Sequence, residues 1–163
     1  MKKVYFVRHA KSSWQNMELS DHDRPLNNRG KRDAPLMVKE FYKKEKVIPL
    51  LISSTAKRAL TTAKVFAKEL DIPKKNIIKD ASLYHGGGEE FSNVVFQQDD
   101  EIDSLMIFGH NPGMTYFANE YTTRYIDNIP TTGIFKLESS KDQWPQFFDD
   151  AKLTLFIYPK MFL

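Results

Sequence analysis

Three short apolar runs constrain this chain more than any other feature. They are Val4-Tyr5-Phe6-Val7, Pro49-Leu50-Leu51-Ile52 and Leu105-Met106-Ile107-Phe108-Gly109. None alternates apolar with polar residues as a strand with one wet face does, so the three read as parallel strands covered on both sides. Further strand patterns fall at 133–138 and 152–158, with a weaker one at 76–79.

Helical patterns lie between these runs. Ala56, Ala59, Leu60, Ala63, Phe66, Ala67 and Leu70 keep the spacing of one buried helical face, with Ser54 or Thr55 as N-cap. Ala34, Met37, Val38 and Phe41 form a similar face after Asn27-Asn28-Arg29-Gly30, and Pro35 has to fall in the first turn or kink that helix. Asn111-Pro112 reads as an N-cap followed by proline at the first helical position, with Met114, Phe117, Ala118 and Tyr121 facing inward. Strands alternating with helices predict an α/β fold: a three-layer sandwich with a mainly parallel central sheet and helices on both faces. No repeat, low-complexity tract or long linker interrupts the pattern, so residues 1–163 read as one domain.

Composition then narrows the function. A hydrophobic content of 41%, with 12 Phe and 7 Tyr, supplies a real core. The absence of cysteine excludes disulfides, thiolate chemistry and Cys-type zinc sites. No apolar run approaches the ~20 residues of a membrane helix, and Met1-Lys2-Lys3-Val4 opens a strand rather than a secretory signal. A cytoplasmic protein with no membrane contact is expected. The net charge is +3, but Lys43-Lys44-Glu45-Lys46 and Lys74-Lys75 read as solvated faces, and Asp99-Asp100-Glu101 opposes them. Positive charge gathered around an anionic substrate is a better use of this composition than nucleic-acid binding.

Each of the three runs leads into groups suited to holding or attacking a phosphate: Arg8-His9, Ser53-Ser54-Thr55 through to Arg58, and His110. In open α/β sheets ligands bind beyond the carboxyl ends of the strands, where all of these fall. A phosphoryl group needs fixed cations, and arginine's planar fork holds two of its oxygens at once. Arg58 also sits in the first turn of a helix, where free N–H groups and the dipole favour an anion. A neutral histidine attacks phosphorus to give a covalent intermediate, with arginines and a second histidine steadying the transferring oxygens. A single histidine at a strand end is more often structural. The two histidines could also be metal ligands, but Arg8 and Arg58 would repel a cation and no Asp or Glu adjoins either histidine. No metal and no cofactor are expected.

Four ordered segments resemble the histidine phosphatase superfamily, which includes phosphoglycerate mutase-like enzymes. Val4-Tyr5-Phe6-Val7-Arg8-His9-Ala10-Lys11-Ser12-Ser13-Trp14 is similar to its opening motif, and Arg24-Pro25-Leu26-Asn27-Asn28-Arg29-Gly30 to the segment before its first helix. Ser53-Ser54-Thr55-Ala56-Lys57-Arg58-Ala59-Leu60-Thr61-Thr62-Ala63 resembles the segment bearing its second phosphate-binding arginine, and Gly109-His110-Asn111-Pro112 that bearing its second histidine. The resemblance implies His9 as the phosphoryl-accepting nucleophile, with Arg8, Arg58 and His110 forming the phosphate pocket. Asp21-His22-Asp23-Arg24-Pro25-Leu26, Gly30-Lys31-Arg32-Asp33-Ala34-Pro35 and Pro130-Thr131-Thr132-Gly133 look like the small phosphohistidine phosphatases that act on phosphorelay proteins. Larger relatives insert a cap over a small substrate. Here only about 25 residues separate the 76–79 pattern from the strand at 104–109, which suits an open site and a phosphate displayed on a protein.

Two departures stand out. Ala10 replaces a commoner glycine, and the general acid of the family's phosphomonoesterases has no single counterpart. His85, Glu89 and Glu90 are the local candidates, and Glu89 or Glu90 could equally begin a helix. The glycines at 86–88 read as a flexible rim rather than a phosphate loop, because no Lys-Ser/Thr follows. Trp14 and Tyr84 fit a pocket lining or ordinary packing, and His22 an exposed loop. The tail from Phe156 to Leu163 reads as an edge strand whose apolar end packs on the body or marks a partner contact. The expected activity is a metal-independent phosphatase, acting on protein phosphohistidine through His9. The alternatives are a broad phosphomonoesterase acting on small phosphate esters and a silent phosphate-recognition module.

Overall fold

The computed structural model describes all 163 residues. Its strands are β1 (Lys2–Arg8), β2 (Leu50–Ser53), β3 (Ile78–Lys79), β4 (Ser104–Gly109), β5 (Ile134–Ser139) and β6 (Lys152–Ile157), and they pair in the order β3-β2-β4-β1-β5-β6. Pairings from β3 to β1 are parallel, whereas β5 and β6 join antiparallel, so the sheet is mixed with a parallel centre. The strands β1, β2 and β4 therefore run side by side in one direction and end at the same edge. That shared direction brings residues far apart in sequence to one place.

Both faces of the sheet are covered. Val4, Phe6, Leu105, Ile107 and Phe135 point to one side, against α3 (Gly88–Phe96), α4 (Gly113–Asn119), Trp144 and Phe147. Tyr5, Val7, Leu51, Met106 and Phe108 point to the other, against α1 (Asn28–Glu45) and α2 (Lys57–Glu69). Successive residues of β1 and β4 thus enter opposite layers, and both layers are dry, which is why these runs are apolar without alternation.

Three local expectations change. The N-cap of α2 is Ala56, not Ser54 or Thr55; Ser54 accepts instead from the Ala56 N–H, one step earlier in the chain. Pro35 lies in the second turn of α1, because the helix begins at Asn28 behind an Asn27 cap whose side chain accepts from the Gly30 N–H. A side chain at Gly30 would collide with the Lys11 carbonyl, so this glycine lets α1 press on the segment leaving β1. Pro112 rather than Asn111 flanks α4, although the Asn111 side chain still accepts from the Thr115 N–H at 3.1 Å and so satisfies a free donor of the first turn. The C-terminal segment packs on the body: Ile157 and Pro159 are buried, and Lys44 Nζ lies 5.8 Å from the Phe162 ring centre.

Candidate active site

His9 follows the end of β1, His110 follows β4, and Arg58 occupies the second position of α2 just beyond β2. The parallel centre of the sheet brings them into contact. His9 and His110 rings lie 5.2 Å apart, and Arg58 Nε donates toward His9 Nε2 at 3.4 Å. His9, Arg58 and His110 are each at least nine-tenths buried. Arg8 sits beside them at the end of β1 and donates from Nη1 to the Ile129 carbonyl at 2.9 Å.

Hydrogen bonding sets the state of each imidazole. His9 Nδ1 lies 2.7 Å from the Ala10 carbonyl, an acceptor only, so Nδ1 carries the proton and Nε2 keeps its lone pair. The Ala10 N–H in turn donates to Thr62 Oγ1 at 3.0 Å, which fixes the turn that presents His9. His110 Nε2 lies 2.8 Å from Ser54 Oγ, and that oxygen already accepts from Ala56. With Ser54 donating its hydroxyl proton to Nε2, the proton of neutral His110 is on Nδ1, a buried atom with no partner.

Electrostatics agree with the neutral forms. Burial pushes His9 down to about 3, with Arg58, Arg8 and Arg24 adding to the effect against the Ala10 hydrogen bond. Burial likewise takes His110 down to about 3, helped by His9 and Arg58. Arg8 is also lowered, first by burial and then by Arg29 and Arg58. A consequence for stability follows by linkage. Above the unfolded-state value of about 6.5 both states are neutral and neither histidine contributes. As pH falls from 6.5 toward 3, the unfolded chain binds protons that the folded chain refuses, so stability drops by up to about 1.4 kcal/mol per pH unit for each histidine. Urea unfolding between pH 7 and pH 5 is expected to show a shallower loss in His110→Asn than in wild type. Equal slopes would mean that His110 titrates normally.

A second layer, not found by spacing, surrounds this group. Asp21 holds Arg58 at two points: its carbonyl accepts from Nη1 at 2.7 Å and its carboxylate from Nη2 at 3.0 Å. Tyr84 also donates to that carboxylate, at 2.6 Å, and this bond, with Arg58, holds Asp21 down to about 2. Arg24 is buried with its Nε 3.2 Å from Asp21 Oδ1 but off hydrogen-bond geometry, and its guanidinium lies 3.5 Å from the exposed Trp14 ring. Thr132, at φ 59°, donates its N–H to the carbonyls of Arg8 and His9, while its buried hydroxyl has no partner. His22, expected on an exposed loop, is half-buried, with Nε2 2.9 Å from Thr55 Oγ1 and its ring 4.8 Å from Tyr84.

The acid candidates are placed differently from one another. Glu90 accepts from the Gly87 N–H at 3.1 Å and closes the start of α3. Glu89 is exposed on the same turn. His85 is exposed and lies 4.2 Å from the Tyr84 ring, which itself lies 5.6 Å from His110. The glycine segment is packed rather than loose, since a side chain at Gly113 would collide with the Gly86 carbonyl. A cavity of about 630 Å3 lies elsewhere, against Tyr125, Ile126, Leu153, Phe156, Tyr158 and Met161.

All the buried side-chain nitrogen and oxygen atoms that lack a partner belong to Arg8, Arg24, His110 and Thr132. Buried polar groups are almost always paired. Here Arg8 adjoins His9 in the chain, the His110 ring lies 5.2 Å from it, Thr132 donates its N–H to its carbonyl, and two of the four residues are cations. Such a set can hold a tetrahedral oxyanion against a neutral imidazole nitrogen.

Comparison with known proteins points the same way. Residues 4–84 match the model of the histidine phosphatase superfamily (branch 1). The fold superimposes with a TM-score of 0.80 on the Agrobacterium tumefaciens protein provisionally assigned as the phosphohistidine phosphatase SixA, at 27% identity over 97% of this chain and 98% of that one. It superimposes with a TM-score of 0.76 on the protein histidine phosphatase SixA complexed with tungstate, at 18% identity over 99% of both chains. An uncharacterised chloroplastic protein of Arabidopsis thaliana is 26% identical over 155 residues, 90% of this chain and 71% of that protein.

Proposed function

This chain belongs to the histidine phosphatase superfamily, and on that premise we propose that it is a metal-independent phosphohistidine protein phosphatase working through a phosphoryl group on His9. The observation that carries the reading is a buried, neutral His9 whose Nε2 keeps its lone pair beside Arg58 and the His110 ring, with unpaired buried donors on Arg8 and His110 nearby. His9 Nε2 attacks phosphorus, and the bond to the substrate imidazole breaks. Arg8, Arg58 and the His110 Nδ1–H hold the equatorial oxygens as charge shifts among them. The departing imidazole takes its proton from solvent. Water then attacks the same phosphorus, the His9 N–P bond breaks, and phosphate leaves.

The choice of phosphohistidine rests on the leaving group. An alkoxide needs a protonated acid beside it, a contribution of about 10²–10⁴ in rate. Asp21 is ionised and tied to Tyr84 and Arg58, Glu90 caps α3, and Glu89 faces solvent. Imidazole departs without such help. A site outside the large cavities also suits a phosphate carried on a protein surface.

The test is phosphate release from a protein phosphorylated on histidine, set against the same assay on a protein phosphorylated on serine. We expect kcat/KM to favour phosphohistidine by at least about 100-fold, since only the ester needs a protonated acid at its leaving group, and EDTA to leave the rate unchanged. Comparable rates on the two proteins would overturn the substrate assignment. Loss of activity with EDTA would overturn the mechanism.

A further inference from the structure

The segment between β1 and α1 carries a feature that the chemistry at His9 does not use. Within six residues it exposes three large apolar side chains: Trp14 at 69%, Met17 at 92% and Leu19 at 38%. Isolated exposed apolar residues are ordinary, but a cluster beside a functional site marks a contact surface. We propose that this loop is the docking surface for the phosphoprotein substrate, with Trp14 as its anchor. The proposal rests on the reading of the site as a protein phosphatase and names the part of the chain that recognises the protein rather than the phosphate.

The loop is held in place, which separates it from a mobile tip. Its two ends are stitched together by a bridge between Ser12 and Leu26, by Ser13 N–H donating to the Pro25 carbonyl at 2.8 Å and by Asn27 N–H donating to the Lys11 carbonyl at 2.9 Å. Inside it, Glu18 N–H donates to Asn16 Oδ1 at 3.0 Å. Trp14 lies flat against the buried Arg24 guanidinium, 3.5 Å from it, an arrangement that fixes the indole while leaving most of it in water. A pre-fixed aromatic surface loses little freedom on binding, and tryptophan and methionine are enriched where proteins meet.

The occupant follows from where the loop sits. Arg24 beneath Trp14 is 3.2 Å from Asp21, Asp21 grips Arg58, and Arg58 reaches His9. A phosphate seated at His9 therefore places whatever carries it next to Trp14, with the aromatic rim of His22, Tyr84 and His85 also bordering the site. A small ester fills the donors around His9 and needs no apolar contact beyond them. A protein bearing the phosphate on its surface extends past them and covers the loop.

The experiment compares wild type, Trp14→Ala and Met17→Ser on two substrates. One is a small protein whose surface histidine has been phosphorylated with phosphoramidate; the other is phosphoramidate itself. Loss of an anchor of this kind is expected to lower kcat/KM on the protein by about 10- to 30-fold for Trp14→Ala. Met17→Ser is expected to give a smaller loss, both mainly through KM. Hydrolysis of phosphoramidate by Met17→Ser should match wild type, which also shows that this variant is folded. Equal losses on both substrates, or no loss on the protein, would overturn the docking surface. So would a wild-type dimer that Trp14→Ala dissolves, because the loop would then cover a second copy of the chain. If wild type releases phosphate only from a serine-phosphorylated protein, the phosphohistidine reading falls, and the same comparison on that protein decides the docking surface.

Discussion

Replacing His9 with alanine is expected to lower phosphate release by more than about 10⁴-fold, the scale seen when a covalent nucleophile is removed from an enzyme whose groups act as a unit. The expectation follows from the state of the imidazole. Its Nδ1 is committed to the Ala10 carbonyl, its Nε2 keeps a lone pair met only by Arg58 Nε at 3.4 Å, and burial, aided by the arginines around it, keeps it unprotonated far below neutral pH. With Ser54 donating to its Nε2, His110 carries its proton on Nδ1 and has no lone pair left to attack phosphorus. The variant should still fold, since it removes no side chain of the two large apolar clusters. It should also retain binding of a tetrahedral oxyanion such as tungstate, because Arg8, Arg58 and His110 remain. Enzyme quenched in alkaline detergent should carry a base-stable, acid-labile phosphoryl label in wild type and none in His9→Ala. Retention of a tenth of the activity, or of the label, would remove His9 from the reaction.

The parts of this arrangement that could be read from sequence are those fixed by the sheet. Apolar runs without alternation imply parallel strands, and parallel neighbours end at one edge. The meeting of His9, Arg58 and His110 therefore follows from β1, β2 and β4 alone. The strands β5 and β6 were visible as patterns, but their antiparallel pairing was not, because apolar content does not encode direction. The groups whose roles escaped reading lie on loops, Tyr84 among them, which the sequence offered only as pocket lining or ordinary packing. Asp21, Arg24 and Tyr84 come from segments with no periodicity, and they meet only because the 11–27 and 80–88 loops fold over the same strand ends. The grouping Asp21…Arg24-Pro25-Leu26 was a usable signal for the first two. Thr132 offered none, since a left-handed backbone at a threonine leaves no trace in composition. The glycines at 86–88 suggested slack, whereas the Gly86 carbonyl is pressed against Gly113, where any side chain would collide with it. Absence of a side chain allows either, and only the neighbouring element decides which.

Arg58 carries the second large effect, and its form distinguishes geometry from charge. The guanidinium spends Nη1 and Nη2 on Asp21 and directs Nε at His9, three directions that a planar fork reaches together. Arg58→Ala is expected to lower kcat/KM by about 10²–10³, the cost of losing one fixed donor at the developing charge. Arg58→Lys keeps the charge but reaches one direction at a time, so it should recover no more than about tenfold of that loss. Removal of the guanidinium also leaves the Asp21 carboxylate with only Tyr84 and the nearby Arg24 beside it, and that charge repels an incoming phosphate. Asp21→Asn in the Arg58→Ala background should therefore restore part of the activity, while the same change in wild type should lower it. This sign reversal is the non-additivity expected of residues in direct contact. If Asp21→Asn lowers activity equally in both backgrounds, Asp21 acts on the reaction independently of Arg58, and its role as the brace that aims the guanidinium fails.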